Sequence, residues 1–429
     1  MRDWLPRQAR RRALVSEQIL ARLELFGFQR VEVPPFEYAD VLERGFGNSA
    51  EALRFVEPET GKIAALRSDV TPQIARLVST RYPDGPWPAR LCYRASVMRR
   101  RRERARLDQK VLQVGFELAG ASEHGGDLEV LEAATSALRA TGLDDFTVDL
   151  AHAQIALALL DRLPVTARAD ALECLALKDS AELGRVGARG GLVGRELAAL
   201  VALPELHGGR ELWPRAERAL AGTIAEAPMR ALERIWSEAV AARLAPNFVV
   251  DLGETREFYY YTGVMFHLLA EGPGEPLGSG GRYDTLFERF DLPCPAAGFA
   301  FDVSNVCWAL GERGVAEVTL ERVLVTGGTS EAATGVQREL RMRGVACASG
   351  PEPGCISPDP ASNLYAERWE YSHVLELPGA GPASKPVLRR TETVAGVCSA
   401  PHAAIEIDAS DPAQLAQVVA THLRVVEER

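Results

Sequence analysis

Extended, apolar-rich stretches recur along the first third of the chain, and their alternation with helical text constrains the fold more than any other feature. FQRVEVPPFE (28–37) reads as a strand ended by Pro34 and Pro35, because proline cannot donate to a ladder. IAALRSD (63–69), ARLCYRASVMRR (89–100), KVLQVGFELAG (110–120) and FTVDLAH (146–152) are further extended segments. Between the last two, GDLEVLEAATSALRATG is a helix with a glycine stop. Ahead of them all, Leu14, Ile19, Leu20, Leu23 and Phe26 stand at helical spacing over residues 7–26, with Gly27 where a helix would end. Elements in this order predict an α+β domain built on a largely antiparallel sheet.

From about residue 153 to 245 the text turns Ala/Leu/Arg/Glu-rich and helical, broken by the glycine-rich GRVGARGGLVGRE (184–196). Strand text returns with NFVVDLGETREFYYYTGVMFHLLA (247–270), then GSGGRYD (278–284) and AAGFAFDVSNVCWAL (296–310). The first domain therefore spans 1–313, with a helical insertion at about 153–245. A second domain, 318–429, alternates strand and helix: ERVLVTGG, SEAATGVQRELRMRG, VACASG, YSHVLELPG, HAAIEID and a final helix from Asp411. That alternation predicts a small α/β unit with mostly parallel pairing. No internal repeat at a fixed period is found.

With 429 residues, two or three domains are expected, and 47% apolar content supplies material for their cores. The seven cysteines form no CxxC pair and the seven histidines no HxxxH or Cys/His cluster, so neither a disulfide frame nor a metal site is expected. The start, MRDWLPRQARRRALVSEQIL, is charged throughout and has no apolar core of a signal peptide. No apolar run approaches the ~20 residues of a membrane span. A soluble, cytoplasmic protein is expected. Its net charge of −10 argues against a surface devoted to nucleic acid.

Several motifs carry a plain reading beside a chemical one. In LRSDVTPQIARL (66–77), Thr71 before Pro72 is ordinary helix-start chemistry, with Thr71 as the N-cap. GSGGRYDTLFERF (278–290) is not a P-loop and reads as a tight glycine turn. VTGGTSEAATG (325–335) does not match the dinucleotide-binding glycine pattern. In REFYYYTGVMFH (256–267), alternation along a strand puts Tyr259 and Tyr261 on one face and Tyr260 on the other; Arg256 at its head favours an anion site.

Taken together, these segments resemble class II histidine–tRNA ligases over about residues 5–313, with a weaker likeness of the last domain to that family's anticodon-binding domain. FGFQRVEVPPFE resembles motif 1, RLCYRASVMRR…QKVLQVGFELAG resembles motif 2, and REFYYYTGVMFH and SGGRYD resemble the two histidine-specific signatures. Carried over residue by residue, the resemblance implies a histidine pocket. Asp69, Thr71 and Gln113 would take the α-ammonium, and Arg99 and Arg256 the carboxylate. Glu117 and Tyr261 would bond the imidazole nitrogens, with Tyr260 alongside. A zwitterion needs an acid at one end and a cation at the other, and a neutral imidazole offers one donor and one acceptor.

The nucleotide half of the ligase site does not carry over. Where the ligases have a glutamate that reads adenine, this chain has Arg101; Asp302 stands at a motif 3 glycine and Asn305 at its arginine. A carboxylate beside ATP would cost about 4 kcal/mol per charge pair at 4 Å and intermediate dielectric. After Val318 acidic residues outnumber Lys and Arg, a poor face for RNA. A retained histidine pocket beside a lost ATP site is similar to the regulatory subunits of ATP phosphoribosyltransferase. Their Arg-x-Asp-x-Thr-Pro-Gln and Tyr-x-Thr-Gly text matches Arg67–Gln73 and Tyr260–Gly263. The resemblance implies a subunit with no catalytic residues and no cofactor. It would dimerise through the class II core and join a short catalytic subunit in a hetero-octamer. There it would be needed for activity and for feedback inhibition by histidine at the first step of histidine biosynthesis. The alternatives are an active histidine–tRNA ligase and a stand-alone histidine-binding paralogue. For the arginine run Arg99–Arg106, interrupted only by Glu103 and Ala105, three readings stand: a solvated loop, a contact with the catalytic subunit, or a nucleic-acid contact.

Overall fold

The computed structural model describes residues 3–46, 52–98, 110–255, 261–312, 321–350, 363–378, 385–391, 404–409 and 411–427. The chain forms two compact units, Met1–Val315 and Ala316–Arg429. The first has the class II synthetase-like fold, centred on a nine-stranded mixed sheet. Its strands run, edge to edge, Gln29–Arg30, Ala89–Met98, Lys110–Ala119, Ala296–Asp302, Gly278–Arg282, Val264–Leu269, Thr147–His152, Asn247–Asp251 and His207–Gly208. Pairing is antiparallel except at Gln29–Arg30 with Ala89–Met98 and at Thr147–His152 with Asn247–Asp251.

The two faces of this sheet differ in what they bury. Alternation sends Val114, Phe116, Leu118, Phe299 and Phe301 to one side, where they pack under the helices Pro6–Leu25, Gly125–Arg139 and Val303–Glu312. In the first helix Val15, Ile19 and Leu23 form the buried i, i+4, i+8 stripe, while Leu14, expected on that face, stays 37% exposed one position off it. Tyr93, Ala95, Gly115 and Glu117 point to the other side, which carries the candidate site described below.

Three local expectations need correcting. GSGGR is a strand inside the sheet, not a turn: Phe299 of the neighbouring strand lies over Gly278 and Gly280, where any Cβ would collide with its ring. The same ring stacks on Phe266 at 4.9 Å, so the glycines are exchanged for aromatic packing. The FQRVEVPPFE strand pairs only at Gln29–Arg30, with one more bond from Val31 to Cys92 O (2.9 Å); beyond the prolines, Phe36–Tyr38 joins a separate three-stranded sheet with Ile63–Leu66 and Arg54–Val56. In the tyrosine segment the strand starts only at Val264, so Tyr261 precedes it; Tyr259 and Tyr260 lie outside the described residues.

Between Ala153 and Ala241 the chain is helical apart from His207–Gly208, which returns to the sheet edge. The second unit is a five-stranded sheet in which Ala346–Ser349, Arg322–Gly327 and His373–Leu377 run parallel and Val387–Arg390 and Ile405–Glu406 antiparallel. Its helices Ser330–Met342 and Pro412–Glu427 bury Val336, Leu340, Leu415 and Val419 against Val323, Val325 and Leu375. Among the described residues no helix is long and apolar enough to cross a membrane.

Candidate functional site

Glu117 is the centre of the polar face. It lies near the middle of the central sheet, opposite Leu91 on one side and Gly298 on the other, and is 2% exposed. Three hydroxyls donate to it: Thr71 Oγ1 (2.8 Å) and Tyr93 (3.3 Å) to Oε1, and Tyr283 to Oε2. Two glycines make this possible. A Cβ at Gly298 would strike Glu117 Oε2 and stand 2.6 Å from the Tyr283 hydroxyl, and a Cβ at Gly115 would occupy the place of the Tyr93 hydroxyl. Burial holds the Glu117 carboxyl well above the usual carboxylate range and the Asp69 charge pushes the same way, while the Thr71 and Tyr93 hydroxyls pull against them. The Tyr93 hydroxyl is likewise raised, by burial first and then by the charges of Glu117 and Asp69.

Asp69 and Thr71 arrive from the turn between Ile63–Leu66 and the helix Thr71–Arg81. The expected Thr71 cap is not formed. The helix is preceded by Val70 with no side-chain cap, and it is Asp69 Oδ1 that accepts from Val70 N (2.6 Å) and Thr71 N (3.4 Å). The Thr71 hydroxyl is thereby free to donate to Glu117, and its lone pairs remain able to accept from a ligand N–H. Gln113, two pleats from Glu117 on the same face, is 3% exposed, and its Oε1 accepts no hydrogen bond from the described residues. The Tyr261 ring is buried 6.5 Å from that of Tyr283.

The structure thus brings Asp69, Thr71 and Glu117 to one place and puts Gln113 on the same face. Arg99, Arg256 and Tyr260 lie outside the described residues, as do Arg101 and the arginine run. Tyr93 and Tyr283 were missed as site residues. Alternation in ARLCYRASV does put Tyr93 on the face of Leu91 and Ala95, and Tyr283 closes the SGGRYD segment, but only the paired register reveals that both reach one carboxylate. Chemically, the site is a fixed, buried acid with one acceptor position left, a second acid beside it and, among the described residues, no basic partner on Glu117. It suits a small ligand with N–H donors or a positive charge.

Asp302, opposite Gln113 on this face, and Asn305, in the helix that follows, serve the fold. Asp302 Oδ1 accepts from Ser304 N (2.9 Å) and Asn305 N (3.3 Å) at the start of Val303–Glu312. Asn305, 4% exposed, donates through Nδ2 to Pro276 O (2.8 Å). No group of side chains suited to a metal occurs among the described residues. An open depression of about 790 Å³ lies elsewhere, along Glu226–Ala241, and holds none of these groups.

The sequence profile of the family described as Histidyl-tRNA synthetase matches residues 1–306. A protein of Syntrophotalea carbinolica named ATP phosphoribosyltransferase regulatory subunit is 33% identical over 356 residues, 81% of this chain and 83% of that one. One of the same name from Anaeromyxobacter dehalogenans is 40% identical over 319 residues, 72% of this chain and 90% of that one. Among solved structures, an ATP phosphoribosyltransferase regulatory subunit/histidyl-tRNA synthetase from Bacillus halodurans superposes with a TM-score of 0.75 at 24% identity, covering 88% of this chain and 96% of that one; it bears on the fold alone.

Proposed function

This chain belongs to the family of ATP phosphoribosyltransferase regulatory subunits with a histidyl-tRNA synthetase-like fold, and from that membership we propose that it is a non-catalytic cytoplasmic subunit that senses histidine. The observation that carries the ligand assignment is the Glu117 cluster. A carboxylate held by three hydroxyls offers its remaining lone pair to an imidazole N–H, and Asp69, with Thr71 Oγ1 and Gln113 Oε1 as further acceptors, answers an α-ammonium. Tyr261 bonds the other imidazole nitrogen with Tyr260 alongside, and Arg99 and Arg256 take the carboxylate. The partner is a short catalytic subunit, joined in a hetero-octamer by homodimers of this chain. Histidine in the pocket shifts that complex towards its inhibited state by binding it better than the active one.

The profile match favours a second reading, an active histidine–tRNA ligase. Against it stand Asp302 and Asn305. Asp302, at a motif 3 glycine position, caps a helix with a carboxylate, and Asn305, at the arginine position, donates to Pro276, so neither offers a cation to an outer phosphate. Co-expression with a short catalytic subunit tests the proposal. Phosphoribosyl transfer should appear only with this chain present and should fall on adding L-histidine. Histidine-dependent ATP–pyrophosphate exchange by the chain alone would overturn it in favour of the ligase.

A further inference from the structure

Arg67, two residues before Asp69, is 5% exposed, and its hydrogen-bond partners among the described residues are uncharged. Its Nε donates to Ser96 O (2.8 Å). Its Nη1 lies within reach of Val33 O (2.9 Å), Pro34 O (2.7 Å) and, more loosely, Gln73 Oε1 (3.4 Å). Its own carbonyl accepts from Met98 N (2.8 Å). Gln73 completes the knot by donating through Nε2 to Pro34 O (3.0 Å). These partners sit on three separate segments: the turn at the prolines, the strand Ala89–Met98, and the first turn of Thr71–Arg81. Placing a guanidinium among neutral carbonyls is unfavourable, and burial lowers its pKa accordingly. A hydrophobic side chain would fill the same space without that penalty, so what the guanidinium adds is direction: several donors in a rigid fork aimed at fixed acceptors.

We propose that Arg67 is the positioning residue of the pocket, fixing the turn that delivers Asp69 and Thr71 to Glu117 and tying it to the strand end at Met98. Arg67 does not touch the ligand; it acts through the backbone on either side of Asp69. The inference rests on the histidine reading for its ligand, but the backbone consequence is independent of it.

The test compares Arg67→Lys in the full-length chain with the wild type, by amide hydrogen exchange and by calorimetric titration with L-histidine. Lysine keeps the charge but cannot reach acceptors on three segments at once. Exchange should accelerate in peptides spanning 66–74 and 91–98 and stay unchanged in 125–139, while the affinity for L-histidine falls about tenfold or more. Gln73→Met, which removes one acceptor and one donor of the knot, should do the same to a smaller degree, about threefold in affinity, and carries the test if the lysine variant does not fold. A uniform rise in exchange across the chain, with affinity unchanged, would reduce Arg67 to a packing residue and overturn the proposal. A wild-type chain that binds no L-histidine would sink the histidine reading alone; local or absent acceleration in 66–74 then decides on Arg67 by itself.

Discussion

Ionising Glu117 costs the folded protein stability, a cost that the proposed histidine ligand would offset. An acid whose folded pKa lies above its unfolded one holds its proton more tightly in the native state. Its stabilising effect is therefore complete below the ordinary carboxylate value of 4.5 and is lost as pH climbs towards the raised native value. At neutral pH the unliganded chain carries that penalty. Glu117→Gln keeps the shape, and the amide can both accept from Thr71 and donate to a tyrosine hydroxyl. Two outcomes are expected. The unliganded variant melts a few degrees higher at pH 7.5, and L-histidine binds at least about thirtyfold more weakly, since a charge-assisted bond worth about 2 kcal/mol is gone. Differential scanning calorimetry and titration read the two, and an unchanged dissociation constant would remove Glu117 from the ligand site. At this scale the sequence was partly legible. The resemblance to histidine–tRNA ligases singled out Asp69, Thr71, Gln113 and Glu117, and the structure brings Asp69, Thr71 and Glu117 together with Gln113 on the same face. The hydroxyls of Tyr93 and Tyr283 were not legible, because a tyrosine in a strand is indistinguishable from core until its partner is known.

Elements were legible where period and punctuation agreed. The strands 89–98, 110–119 and 147–152 and the helix Gly125–Arg139 follow their alternation and glycine stop. GSGGR was not, since glycine signals a turn locally and becomes a strand here only through Phe299 on the next strand, a contact that sequence spacing does not encode. One junction carries a titratable device. His152 ends the strand Thr147–His152 and caps the helix Ala153–Leu160, its Nδ1 accepting from Gln154 N at 3.2 Å. Burial pushes its pKa from 6.5 down to about 4. Above pH 6.5 the ring is neutral in both states and the cap is intact. As pH falls below 6.5 the unfolded chain takes up the proton first, so stability is lost until about pH 4, where the native ring protonates too. Some surface contact remains at this side chain, so the loss at pH 5 is about 1–2 kcal/mol. His152→Asn keeps a capping acceptor without the titration. Between pH 7.5 and pH 5 the urea midpoint of the wild type should fall further than that of His152→Asn, and parallel losses would show that His152 does not titrate on unfolding.

At the scale of the molecule, the second unit is separable by its own construction. Its sheet closes a core of its own, with Leu340, Leu375, Ala416 and Val419 buried, and the first unit likewise buries its apolar residues within residues 15–310. The relative from Anaeromyxobacter dehalogenans has 90% of its length matched by only 72% of this chain, which leaves little room in it for a second unit of this size. On the proposed reading, sensing and activation are therefore expected of the first unit. A chain ending at Val315 should fold cooperatively, bind L-histidine within about threefold of the full-length affinity and still support phosphoribosyl transfer by a short catalytic subunit. Calorimetry reads the first two and a coupled assay the third. Loss of transfer with histidine binding intact would assign the second unit to the partner contact. Loss of both would mean that the pocket's geometry depends on residues beyond 315, contrary to the closure of the two cores.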